Sequence, residues 1–338
     1  MNPIRFLSKK INAKEKTKYD ILTFSTHESY QEALARTGHN FYLLELDGAK
    51  KWNSDFRKIP SNCTIINNTK DIPSKIDFIL SQERYGQLQF SLDLSNSTRL
   101  PVLHIDHVEP VGDERANYLR SLKADKHVFI TEHNRTTWGV DGDVIRHGID
   151  TEVFNGWKPN KSKKVVYTVN YLKDRDFFCG WTEWEKIKSK VQSIDPAIEF
   201  HLIGDNPGIS KTISDPKQLA SELCNFACYL NTSKYSPIPM SLLEAMSCAM
   251  PIVSTKYQEV GKVLNENNSI ASNDLDTLSA AIIDICNDNE SYSEIGCSAR
   301  GTIEELYSMN TFIESWNAVF KEVYKIKLGA AHEIHHIK

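Results

Sequence analysis

The sequence predicts an α/β protein made of two doubly wound, parallel-sheet units that face a shared cleft. Three observations carry this reading. Short apolar runs alternate with longer amphipathic stretches along the whole chain. The alternation halts at a polar, basic segment, 155–164, and then restarts. The length, 338 residues, is long for one core and comfortable for two.

The first unit opens with a strand at Tyr19–Phe24, followed by a helix-like SYQEALARTG that closes on Gly38, a suitable helix-ending glycine. Further strands are expected at Phe41–Leu46, Phe78–Leu80, Val102–Ile105, His127–Ile130 and Val144–Arg146. The stretch NGWKPNKSKK, broken by Pro159, suits an interdomain linker. The second unit then runs through a strand at Val165–Val169, the amphipathic helix WTEWEKIKSKVQ, and strands at Ile198–Ile203, Ala227–Leu230 and Ile252–Ser254. Helices are expected at Met240–Cys248 and Asp276–Cys286, with helical stretches to the end. Ligand would lie where the carboxyl ends of both sheets meet.

Apolar residues make up 40% of the chain and charged residues 25%, as in an ordinary globular protein. No window approaches 18 uncharged apolar residues, and the beginning of the chain lacks a secretory pattern. Seven scattered cysteines give no disulfide framework, and Cys224 with Cys228 has no second pair to complete a zinc site. Reduced thiols and a cytoplasmic location are therefore expected. The net charge is −4, and residues 1–155 hold 21 basic and 21 acidic side chains. Arg5, Lys9, Lys10, Lys14, Lys16 and Lys18 face only Glu15 and Asp20; such a run is a solvated edge or a basic arm for phosphates.

The stretch SPIPMSLLEAMSCAMPIVST, Ser236 to Thr255, carries the most chemistry. Pro237 and Pro239 suit a helix start, with Ser236 as its cap, so free amides and the positive dipole end would point into the cleft. Glu244 sits among Leu242, Leu243, Ala245 and Met246, where a carboxylate is costly unless hydrogen-bonded. A ribose diol would satisfy it.

This segment resembles the nucleotide-sugar signature of GT-B glycosyltransferases, in the retaining family that includes sucrose and trehalose-phosphate synthases. Pro239, Leu243, Glu244, Ala245, Met246 and Pro251 match the signature, Ser236 stands where the family has its first Glu, and Ala249 where it has Gly. IRHGIDTEVF resembles the N-G-V-D element that ends the family's first domain, and Gly204-Asp205-Asn206-Pro207-Gly208 the loop beside the nucleobase. The resemblance implies a GT-B fold with two Rossmann-like domains. The first, residues 1–155, would serve the acceptor, with the terminal helices of 308–338 packing back on it. The second, 156–307, would hold a UDP-sugar without a metal or other cofactor.

By the same resemblance Glu244 holds the donor ribose, and Ser233, Ser236, Pro239, Met240, Gly204 and Asp205 line the donor site. Asn170 takes the family's diphosphate Arg position and Arg175 its Lys position, with Lys173 nearby. His107, at the carboxyl edge of a strand, would contact the donor sugar. Glu28 follows the first strand and is the residue expected to activate an acceptor hydroxyl. His27, Arg84 and Asp106 are the acceptor-side expectations. SQERYGQLQF, LPVLHIDH and THESYQ are similar to glycosyltransferases of tailed bacteriophages, which implies a hydroxylated pyrimidine of double-stranded DNA as acceptor. The alternatives are a bacterial surface polysaccharide or lipid-linked glycan, or a sugar-nucleotide binder without catalysis. Asp141-Gly142-Asp143 reads as a turn, and the H-E-x-x-H match at 332–336 lies too near the end of the chain for a zinc site. The oligomeric state is left open.

Overall fold

In the computed structural model, which describes residues 16–335, two parallel sheets stand side by side with helices on their faces. The first lobe holds β1 (Asp20–Phe24), α1 (Glu28–Ala35), β2 (Asn40–Leu44), β3 (Cys63–Ile66), β4 (Phe78–Ser81), α2 (Gln87–Thr98), β5 (Val102–Asp106), α3 (Asp113–Ser121), β6 (Lys126–Phe129), α4 (Glu132–Trp138) and β7 (Asp143–Val144). Its strand order is β3-β2-β1-β4-β5-β6-β7, all parallel. β3 was not expected from the sequence, and the two-residue β7 overlaps the start of the strand expected at Val144–Arg146. CTII leaves its two middle residues exposed, so it lacks the buried run that marks a central strand.

The second lobe holds β8 (Lys164–Thr168), α5 (Asp176–Cys179), α6 (Trp181–Ile194), β9 (Glu199–Ile203), α7 (Pro216–Leu223), β10 (Cys228–Asn231), α8 (Met240–Ser247), β11 (Ile252–Ser254), α9 (Val260–Val263), β12 (Ile270–Ala271), α10 (Leu275–Asn287) and α11 (Ser293–Leu306). Its parallel order is β12-β11-β10-β8-β9. In a doubly wound sheet the strand order reverses at one point, and a crevice opens there beyond the carboxyl ends. The two reversals fall between β1 and β4 and between β8 and β10. They place the loops after β1, β8 and β10 at the crevices.

Alternation along the strands divides the first core in two. Ile21, Phe41, Phe78, Leu80 and Leu103 face α1, while Leu22, Leu44, Ile79 and Val102 face Leu88 of α2 and Trp138 of α4. The final helix α12 (Met309–His335) belongs by contact to the first lobe, since Phe312, Trp316, Val319, Phe320 and Val323 enter its core. The chain thus crosses between lobes twice. The two crossings run side by side, with Ile149 N–H donating to the Tyr307 carbonyl at 2.8 Å. No helix among the described residues is long and apolar enough to cross a membrane.

The basic residues 5–14 and His336 lie outside the described residues. Lys16, at the end of that run, is tied to Asp77 at 2.5 Å and to Asp20 at 3.6 Å, which leaves it no free charge for phosphates.

Candidate functional site

Both crevices open onto one cavity of about 600 Å³ between the lobes, a size that suits a nucleotide-scale ligand. On the second-lobe side its wall is the start of α8. The cap position is Pro239, without a side-chain cap bond, so Ser236 is not the helix cap expected from the sequence. Two prolines keep the chain extended through Pro239, and Ser236 becomes a half-buried part of the cleft wall. Met240 and Ser241, whose amides have no acceptor within the helix, line the cavity.

One turn in, Glu244 reaches the same cavity while 5% exposed. Burial pushes its carboxyl up to about 7; Arg57 opposes that shift and Glu32 adds to it. Arg57 comes from the other lobe, in the loop between β2 and β3. Its Nη2 stands 3.5 Å from Glu244 Oε1 and its Nε 3.1 Å from Glu32 Oε2. The backbone carbonyl of Arg57 accepts from Trp52 Nε1 at 2.8 Å, which fixes the loop. The sequence reading missed Arg57, because nothing local in SDFRK distinguishes it from a surface residue.

Arg175 is exposed on the cavity wall at the N-cap position of α5, and Asn170 lines the wall with it. Lys173 is exposed and lies outside the cavity lining, which removes it as a diphosphate contact. Gly204 lines the cavity with φ +130°, where a Cβ would fall 2.2 Å from the Val169 carbonyl oxygen, so only glycine fits. Its neighbour Asp205 does not line the cavity. Its side chain accepts from the Tyr171 hydroxyl and its amide donates to Asn170 Oδ1 at 2.8 Å, so Asp205 braces the wall instead of meeting the ligand. Ser233 is buried on the wall, with its hydroxyl 3.0 Å from that of Tyr167 and donating to Asn231 Oδ1 at 2.8 Å.

The first-lobe wall carries three histidines. His107 stands edge-on to Tyr30 and to His27, each at 4.5 Å between ring centres, and His147 stands 5.6 Å from Tyr30. His107 Nε2 and His147 Nδ1 are enclosed without a protein partner. Burial holds His107 well below the usual imidazole range, helped by His27 and His147, and brings His147 down to about 4. His27 keeps solvent contact in the cleft, yet the surrounding walls and the charges of Lys50 and Arg175 lower it too. The two enclosed rings, His107 and His147, are therefore neutral near pH 7. Glu28 is 5% exposed on the same wall, 2.9 Å from Lys50 Nζ, and accepts from the Asn53 amide at 3.3 Å. No group of three metal-ligating side chains occurs among the described residues.

Arg84 and Asp106 are not acceptor contacts. Both side chains are fully enclosed, joined by two bonds of 2.5 and 2.8 Å, and Asp106 Oδ1 also lies 3.1 Å from His104 Nε2. The guanidinium lies over Trp138 at 4.6 Å. Asp106 is the last residue of β5, so its side chain follows the strand alternation to the face away from the cleft, while His107 turns into it.

Comparison with known proteins agrees with this geometry. Residues 178–302 match the family model described as glycosyl transferases group 1. The chain is 26% identical over 264 residues to a poly(ribitol-phosphate) alpha-N-acetylglucosaminyltransferase of Staphylococcus aureus, covering 68% of this chain and 52% of that protein. It thus spans about half the length of that curated relative. Anabaena HepE in complex with UDP and glucose superposes with a TM-score of 0.71 at 14% identity, covering 89% of this chain and 98% of HepE. Sucrose-phosphate synthase from Thermosynechococcus elongatus gives 0.68 at 14% identity, with 91% and 99% covered. The chain has the GT-B glycosyltransferase fold, and its second lobe carries a glycosyl transferases group 1 domain.

Proposed function

We propose that this protein is a glycosyltransferase that takes a UDP-sugar in the interlobe cavity and passes the sugar to an acceptor hydroxyl. The observation that carries the reading is Glu244, buried on an apolar helix yet aimed into the cavity one turn from the helix start. Two ribose hydroxyls would donate to its oxygens, and the HepE complex with UDP supports uridine as the base. The diphosphate would then lie between Arg175 and the first amides of α8.

Negative charge develops on the diphosphate as the sugar C1–O bond breaks, and the guanidinium and helix dipole stabilise it there. In a retaining transfer the acceptor hydroxyl approaches on the leaving-group face. Its oxygen bonds to C1 and its proton passes to the departing phosphate oxygen. Glu28, held by Lys50, orients that hydroxyl, and the unpartnered His107 Nε2 meets a hydroxyl of the donor sugar.

For the acceptor, a hydroxyl on a carbohydrate or polyol chain is favoured over a hydroxylated pyrimidine. The enclosure of Arg84 and the pairing of Lys16 remove two of the phosphate contacts that DNA would use, and the curated relative is named for a polyol-phosphate polymer. Calorimetric titration with UDP, followed by UDP release from UDP-glucose and UDP-N-acetylglucosamine, tests the donor half; absence of UDP binding would overturn it. Parallel incubations with poly(ribitol phosphate) and with DNA containing 5-hydroxymethylcytosine decide the acceptor, and sugar on the DNA alone would reverse the choice.

A further inference from the structure

Among the described residues, the only large aromatic side chains that stand exposed are Tyr118, Phe177 and Tyr235, and two of these three lie against each other. The rings of Phe177 and Tyr235 stack at 4.4 Å with 9° between their planes, while Phe177 stays 53% and Tyr235 49% exposed. Tyr235 lines the cavity, one residue from Ser236. The backbone beneath the pair is tied by other groups. The amides of Lys234 and Tyr235 both donate to the Phe178 carbonyl, at 2.9 and 3.2 Å. Gly180 abuts the Thr232 carbonyl so closely that a Cβ would fall 2.0 Å from it, and Lys234 reaches Glu183 at 3.0 Å.

A fixed, solvent-facing aromatic patch continuous with a binding cavity marks a ligand surface, since burying it is favourable and its order costs nothing at binding. The charges around it choose the ligand class. Lys173, Asp174, Arg175 and Asp176 precede Phe177 in the chain, two charges of each sign, with Arg175 the group proposed for the donor diphosphate. Lys234 is already engaged with Glu183 and, at 3.8 Å, with Asp176. A nucleic-acid strand needs an unpaired cationic track beside its stacking platform. A sugar ring needs only an aromatic face for its C–H bonds and polar neighbours for its hydroxyls.

We propose that Phe177 and Tyr235 form a platform for uncharged sugar rings of the acceptor chain, beyond the unit that receives the new sugar. This rests on the glycosyltransferase reading and deepens its acceptor side. Saturation-transfer NMR with chitohexaose and maltohexaose on the full chain tests it, with UDP titration run on the same samples. The expected result is sugar-proton saturation for at least one hexasaccharide, weakened about tenfold by Phe177→Ala and retained by Phe177→Tyr. UDP affinity should be unchanged in Phe177→Ala. Normal UDP binding with neither hexasaccharide bound, or with hexasaccharide binding unaffected by Phe177→Ala, overturns the platform alone. So does binding of a single-stranded octadeoxynucleotide that Phe177→Ala abolishes. Loss of UDP binding in the unaltered protein instead strikes the donor reading.

Discussion

Two carboxylates of this molecule are almost equally buried and behave in opposite ways. Asp106, at the end of β5, is held down at about 2: burial alone would raise it, but His104 and the Arg84 guanidinium outweigh that cost. Glu244, in the first turns of α8, is pushed up to about 7 by burial, which its Arg57 partner, 3.5 Å away and reaching it through one nitrogen, only partly offsets. The difference teaches where binding capacity resides. A carboxylate gripped by a fork of two short bonds is structural, whereas one buried with a distant partner retains lone pairs for a ligand.

The sharpest way to break the comparison is to remove each acid. Asp106→Ala would leave Arg84 charged, enclosed and unpaired, and should destabilise the protein by about 3–5 kcal/mol in urea unfolding. A loss below about 1 kcal/mol would mean that the pair is not holding the sheet end. Acid should act in the same direction. With the native carboxyl at about 2 against an ordinary 3.8, the contribution of Asp106 is complete above pH 4 and disappears as pH falls toward 2.

Glu244→Gln should do the reverse to stability. The native carboxyl lies above its ordinary 4.5, so its burial is cost-free below that value and grows costly as pH rises to about 7. The variant should therefore be more stable than the parent at pH 8, by on the order of 2 kcal/mol, and equal to it at pH 4.5. It should also bind UDP about 30-fold more weakly at pH 8, having lost one charged acceptor for the ribose diol. A variant that bound UDP normally would leave Glu244 without a ligand.

Much of this contrast was legible in the sequence, and the missing part has a physical cause. The two-lobed architecture follows from apolar periodicity, which is local, and so does the anomaly of a carboxylate among Leu242, Leu243 and Ala245. Pairings across elements are not local. Arg84 and Asp106 are separated by 22 residues and two strand ends, and no pattern within either segment says that they meet. Arg57 meets Glu244 across the lobes for the same reason. His147 sits within IRHGIDTEVF with nothing local to mark it, since only the fold sets its ring beside Tyr30.

Arg57 offers a finer test. Its charge opposes the rise in the Glu244 carboxyl, so Arg57→Ala should move that group still higher and weaken UDP binding at pH 7 by about fivefold. Raising the pH to 8.5 should recover most of the loss, because Glu244 ionises again. Loss that persists at pH 8.5 would instead mean that the guanidinium contacts the nucleotide directly.

The smallest expected effect lies at the other end of α8. Ala249 adopts φ +66°, the left-handed position that closes a helix. The amide of Met250 donates to the Ala245 carbonyl at 3.4 Å and that of Ala249 to the Met246 carbonyl at 3.0 Å, the paired bonds of a Schellman ending. Glycine has no Cβ to strain there, and the related signature carries glycine at this position. Ala249→Gly should raise stability by about 0.5–1 kcal/mol, the relief of strain exceeding the loss of a half-buried methyl group. It should leave UDP affinity unchanged, because the substitution alters the far end of the helix and not the turn that carries Glu244. A shift in UDP affinity would show that the ending sets the register of that carboxylate, and would extend the binding site along the whole of α8.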